Sequence, residues 1–155
     1  MEIRKAVKED AEGIIALLYQ VNQVHADGRS DLFKSGGIKY TIDDLAQKFE
    51  KEDEIIYVAV EDGKVLGYIF AVTEYTKETT SLYPHKTLYI DDLCVDEKER
   101  GKHVAKSLYE YVKDVAKKDG YYHITLHVWE CNPTAKLFYE AMGMQPMYTS
   151  MEAIL

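Results

Sequence analysis

The sequence predicts an α/β (α+β) domain: a central mixed, mostly antiparallel sheet of six to seven strands with helices on its faces. Three observations carry that expectation. Short runs alternate apolar and polar residues with period two, as half-buried strands do. Other runs repeat apolar residues every three to four positions, as core-facing helices do. Turn residues separate the two kinds, and no repeat, linker or low-complexity tract interrupts them. A chain of 155 residues, 46% hydrophobic and 30% charged, is the size of one domain with one core, residues 1–155.

The elements follow in order. Glu2-Ile3-Arg4-Lys5-Ala6 alternates as a short strand. Asp10 is the expected N-cap of a helix whose apolar face is Ile14, Leu17, Leu18 and Val21. Asp27 to Tyr40 has glycines and no period, a loop or broken helix. Thr41-x-x-Asp44 opens a short helix as a variant capping box, with Leu45 and Phe49 inward. Ile55–Glu61 and Lys64–Glu74 read as a hairpin about Asp62-Gly63, and Thr87–Val95 as the next strand. A long helix is expected from Lys102 to Asp119, with Val104, Leu108, Tyr111, Val112 and Val115 inward and Gly120 as its C-terminal cap. His123–Trp129 reads as a strand. Asn132-Pro133 then starts a helix that ends at Met142 before Gly143. Two short strands close the chain, near Met144–Thr149 and Ser150–Ile154. The order is β-α-α-β-β-β-α-β-α-β-β.

Charge and composition exclude several classes. Nineteen basic against 27 acidic residues leave a net charge of −8, which repels phosphate backbones, so no nucleic-acid partner is expected. The longest mostly apolar run, Ile14 to Tyr19, is far short of the ~18 residues that span a bilayer, so no membrane partner is expected. The N-terminus has no apolar signal region, and Cys94 and Cys131 form no disulfide framework, which points to a reducing cytoplasm. Five histidines make no metal signature, so no metal is expected.

Two stretches carry chemistry. Arg100-Gly101-Lys102-His103-Val104-Ala105-Lys106 is locally basic in an acidic chain. It lies between a strand and a helix, where backbone N–H groups and the positive helix end converge on one spot suited to phosphate; the alternative is a solvated helix start. Asn132, Ala135, Tyr139 and Met142 share one face of the later helix. There the small Ala135 would leave room beside the helix for a ligand toward which Tyr139 points a phenol; the alternative, favoured by spacing alone, is a cap and a buried face with Tyr139 as a core tyrosine.

In this order and spacing the two stretches resemble the GNAT N-acetyltransferases, which depend on acetyl-CoA. Asn132-x-x-Ala135-x-x-x-Tyr139-x-x-x-Gly143 matches the family pattern throughout, while in the phosphate loop Arg100 and Ala105 fit and His103 stands where a glycine is usual. A histidine there still offers its N–H if its φ is helical, and its imidazole can add a donor; the alternative is weaker cofactor binding. The resemblance implies the GNAT fold and a cofactor site made of Leu93, Cys94, Val95, Arg100 to Lys106, Asn132 and Ala135. Tyr139 is then the acid for the departing thiolate.

Asp91-Asp92 sits inside a strand, where charge is costly. Alternation turns at most one of the pair into a given cleft unless a bulge intervenes. The pair resembles that of polyamine and other small-amine members, which makes Asp91 the first candidate base or amine anchor and Asp92 the second; the alternative is a salt bridge. His25, Asp27 and Asp31 lie where the family builds its acceptor site, and His127 either lines that pocket or is a packed, hydrogen-bonded histidine. Cys94 is a small core residue and Cys131 a bystander; an acyl-cysteine route would need an activating base. The implied activity is acetyl transfer from acetyl-CoA to a small cationic amine, in a homodimer. Open alternatives are a protein N-terminal or lysine acetyltransferase and a non-catalytic acyl-CoA-binding module.

Overall fold

Alternating apolar residues on either side of Asp62-Gly63 build the centre of the sheet. In the computed structural model, which describes residues 1–155, both turn residues have positive φ, 50° and 76°, as a two-residue hairpin requires. The turn joins β2 (Glu54–Glu61) to β3 (Lys64–Thr76). β1 (Glu2–Lys5) pairs antiparallel with β2, and β4 (His85–Val95) antiparallel with β3. β5 (His123–Leu126) lies parallel to β4, giving the order β1-β2-β3-β4-β5.

The four helices pack on both faces. On one, α1 (Ala11–Gly28) and α2 (Ile42–Phe49) bury Ile14, Leu17, Leu18 and Leu45 against Ile56, Val58, Tyr68 and Phe70. On the other, α3 (Val104–Lys118) buries Leu108, Val112 and Ala116 against Tyr57, Ile69, Leu88 and Ile90. α4 (Pro133–Ala141) packs beside α3, with Phe138 and Met142 against that core. Each fully buried Leu or Val in these layers contributes roughly 1.5–3 kcal/mol.

The α2 cap forms as its sequence requires. Thr41 Oγ1 accepts from Asp44 N at 3.2 Å, and Asp44 Oδ2 accepts from Thr41 N at 2.8 Å. Thr41→Ala is expected to lower stability by about 1 kcal/mol. Thermal unfolding should show a fall of roughly 2–4 °C, and an unchanged midpoint would mean that Leu45 alone holds α2.

Several expectations change. Asp10 does not cap α1 with its side chain. Its buried carboxylate accepts from Arg4 at 2.6 and 2.9 Å and from Val7 N at 2.8 Å. α3 starts at Val104 rather than Lys102, and its buried stripe runs through Tyr109 and Ala116. Tyr111 is exposed at the helix edge, its ring 5.1 Å from that of Tyr57, and Val115 is only half-buried. The sheet has five strands, not six or seven. Residues 145–155 make no backbone hydrogen bond; Pro146 lacks a donor, and side-chain contacts alone hold this tail to the body. Gly120 and Gly143 do follow α3 and α4 with positive φ.

Candidate active site

β4 and β5 part company in mid-strand. Their pairing ends at Ile90 and Leu126, although β4 continues to Val95. The expected strand to Trp129 therefore stops early, because its partner turns away. The cause is a bulge in β4: Phe70 pairs with Asp92 and Ala71 with Ile90, so Asp91 is the extra residue. From Asp91 to Val95 the β4 edge that faced β5 carries no strand. On its other edge Leu93 and Val95 still pair with Ile69 and Gly67.

The bulge also cancels the alternation that would separate the two carboxylates. Asp91 and Asp92 both reach donors on the α1/α2 face. Asp91 Oδ2 accepts from the Tyr40 hydroxyl at 2.6 Å, and Oδ1 accepts from Lys39 Nζ at 2.8 Å. Burial opposes its charge, but the Lys39 and Tyr40 hydrogen bonds more than offset this and hold it below the usual carboxylate range. Asp92 has one side-chain donor, the Tyr68 hydroxyl at 3.0 Å. Burial pushes its pKa up to about 6, against the partial pull of Lys39 and Tyr68. Asp91 is thus a matched ion-pair partner, and Asp92 is a carboxylate poised to take a proton near neutral pH. Of the two, Asp92 has the pKa nearer neutrality.

The loop before α3 presents unused donors. Gly101 has φ 78° and His103 φ 63°, so His103 takes the left-handed conformation of the usual glycine rather than a helical one. The N–H groups of Val104, Ala105 and Lys106 have no backbone partner, and no side chain caps them. Arg100 makes no ion pair, whereas Lys102 is held by Glu99 at 2.7 Å and Lys106 lies 3.8 Å from Glu110. His103 is exposed.

On α4, Asn132 Oδ1 accepts from Ala135 N at 3.2 Å, with Pro133 in the first turn. Tyr139 is half-buried between Tyr109 and Phe138, and its hydroxyl makes no hydrogen bond within the chain. Burial, then the charge of Asp92, raises its pKa, so it stays a proton donor at neutral pH. Cys94 is buried with its Sγ toward the Leu17 carbonyl, and burial pushes its thiol up to about 12. A thiol so held is no nucleophile, which leaves only its backbone for a ligand. Cys131 is exposed.

The other expected acceptor residues do not join the carboxylate pair. Asp31 is bound by Arg29 at 2.7 Å, and Asp27 accepts from Gln23 at 2.6 Å. Both line an open hollow of about 620 Å³ at the end of α1 that includes neither Asp91 nor Asp92. His25 sits in an aromatic cluster with Phe33 and Trp129, its pKa lowered by burial and then by Lys39. His127 is exposed just beyond β5 rather than at the sheet centre, and hydrogen-bonds the hydroxyls of Tyr89 and Tyr148. Sequence reasoning missed Lys39, Tyr40 and Tyr68. The first two lie in an aperiodic stretch without a signal; Tyr68 shares a strand face with Phe70 and was legible as a polar tip inside an apolar run.

Residues 21–144 match the model of the acetyltransferase (GNAT) family. A crystal structure of a mutant BH1408 protein from Bacillus halodurans is 30% identical and superposes with a TM-score of 0.95, over 100% of this chain and 99% of that one. Glucosamine-6-phosphate N-acetyltransferase from Arabidopsis thaliana superposes with a TM-score of 0.69 at 26% identity, over 99% of this chain and 97% of that one. In sequence, an Arabidopsis protein of that name is 37% identical over 59 residues, a match that spans only 38% of either chain.

Proposed function

The chain belongs to the acetyltransferase (GNAT) family, and from that premise we propose that it moves an acetyl group from acetyl-CoA to the amine of a small acceptor by direct attack. One observation carries this reading: the unpaired edge of β4 begins at the bulged carboxylate pair, and Tyr139 keeps an unused hydroxyl within range of the charge of Asp92. The residues fit the cofactor. Free N–H groups of Val104 to Lys106, with Gly101 and His103 in left-handed turns and Arg100 unpaired, suit a pyrophosphate. The open stretch Leu93–Val95 suits an extended amide-bearing arm, and Asn132 and Ala135 lie at the start of the α4 wall. When bound, acetyl-CoA supplies an activated acyl carbon.

The chain's own groups handle the protons. An alkyl ammonium with a pKa near ~10 must lose a proton before its nitrogen can attack. Asp92 takes that proton, and Asp91 keeps Lys39 and Tyr40 in place beside it. As the new C–N bond forms and the C–S bond breaks, backbone N–H groups of the open edge stabilise charge on the carbonyl oxygen. Tyr139 protonates the leaving sulfur and recovers its proton from Asp92 through solvent, while the second proton of the attacking nitrogen is released to solvent as the amide forms.

We assign a small primary amine, cationic in solution, as acceptor. Lys39 already matches Asp91, so the pair holds one ammonium rather than a polycation. The same lysine favours a second reading, an amino sugar carrying phosphate, in keeping with the name of the Arabidopsis relatives. A screen of thiol release with spermidine, glucosamine 6-phosphate, kanamycin and a peptide N-terminus separates the two. No turnover with any amine, despite tight acetyl-CoA binding, would instead make this a binding module.

Calorimetry tests the cofactor site. Acetyl-CoA is expected to bind once per chain, and His103→Gly to change Kd by less than about fivefold, under ~1 kcal/mol. The backbone that glycine would supply is already present at φ 63°. A larger loss would show that the imidazole itself holds the ligand, and absence of binding at millimolar concentration would remove the cofactor assignment.

A further inference from the structure

We propose that the cavity between α3, β5 and the end of α4 binds a small organic anion with a planar ring, at a site separate from the β4 cleft. The cavity measures about 410 Å³, within the range of small-molecule sites. No aspartate or glutamate lines it, although the chain holds 27 acidic residues and a net charge of −8. Lys113 and Lys117, four residues apart on one face of α3, both line it, and neither makes an ion pair.

Tyr109 supplies an independent observation. It is 4% exposed and lines the cavity, yet its hydroxyl has no hydrogen-bond partner in the chain. No fully buried side-chain oxygen lacks a partner, so this hydroxyl keeps some contact with solvent, on a residue that lines the cavity. A phenol hydroxyl without a partner in the chain is free to donate to a ligand there. Burial raises its pKa, which keeps it a donor. Two lysines and a phenol spaced four apart along α3 suit an anion, which they would hold by charge-assisted hydrogen bonds.

The rest of the wall suits a flat apolar group. The Tyr121 hydroxyl is already taken by Thr73 at 2.6 Å and Lys86 Nζ covers one ring face at 3.9 Å, so Tyr121 offers only the rest of its ring. Met142 and Met144 add thioethers, which pack well against aromatic rings. The occupant would lie behind the proposed leaving-group acid, because Tyr109 meets Tyr139 edge-on with ring centroids 6.5 Å apart. The inference rests on the cavity and stands apart from acetyl transfer.

The test is calorimetric titration of the full chain, in excess CoA, with phenyl phosphate, benzoate and inorganic phosphate. A ring-bearing anion should saturate one site with a Kd at or below about 1 mM. The double substitution Lys113→Gln/Lys117→Gln should weaken it about tenfold or more, and Tyr109→Phe should weaken it less. Methyl NMR should report shifts at Met142 and Met144. Failure to saturate by about 10 mM, equal affinity in the lysine variant, shifts confined to other methionines, or inorganic phosphate binding as tightly as phenyl phosphate would each overturn the proposal.

Discussion

Asp92→Asn is expected to make the protein less active and more stable. Loss of the proton acceptor should lower kcat by roughly 10²–10⁴. Wild-type kcat should rise as pH passes through about 6, where Asp92 ionises, and the Asn variant should lack that limb. Stability moves the other way. In the unfolded chain this carboxyl has an ordinary pKa near ~3.9, and in the folded protein about 6, so the native state binds the proton more tightly. Its stabilising contribution is complete below about pH 4 and is lost as pH rises through about 6. At neutral pH the ionised group costs on the order of 2–3 kcal/mol, which Asn relieves while still accepting from Tyr68. Asp91→Asn should do the reverse: lower stability by leaving Lys39 unmatched, with a smaller loss of kcat. Melting curves and rate profiles of the two variants decide the matter; a fully active Asp92→Asn would remove the base from this position.

Tyr139→Phe is expected to lower kcat about a hundredfold. That is the low end for a lost general acid, because a thiol with a pKa near ~8.5 leaves partly unaided. The KM for acetyl-CoA should hardly change, since the proton is transferred only in the transition state. The melting temperature should also hold, because the hydroxyl makes no hydrogen bond to lose. A fall in stability at full kcat would make Tyr139 a packing residue and assign protonation to water.

Much of the fold and part of the site were legible in the chain. The Asp62-Gly63 turn, the Thr41 cap and the Asn132-Pro133 start are local devices, each formed by residues within four positions of one another. The starts of α3 and α4 near Arg100–Lys106 and Asn132 were legible for the same reason, whereas the joint reading of the two stretches came from their resemblance to a family pattern. Each lies at a helix start, so spacing along one segment places its donors. The terminal strands were not legible, because alternation in residues 144–154 shows what a strand would look like, not whether a partner edge takes it up.

By itself the sequence determined the Thr41 and Asn132 caps, the hairpin and the apolar faces of the main helices and strands. All of these follow from contacts within a turn or from period-two and period-3.6 patterning. Tertiary structure alone decided the chemistry of the carboxylate pair. The bulge that puts Asp91 and Asp92 on one face is visible only in the register between β3 and β4. Lys39 and Tyr40 approach Asp91 from a segment 52 and 51 residues away. The roles of two adjacent aspartates are therefore set by which distant donors reach each, and by how much water each loses. Neither quantity is encoded in the spacing of the residues themselves.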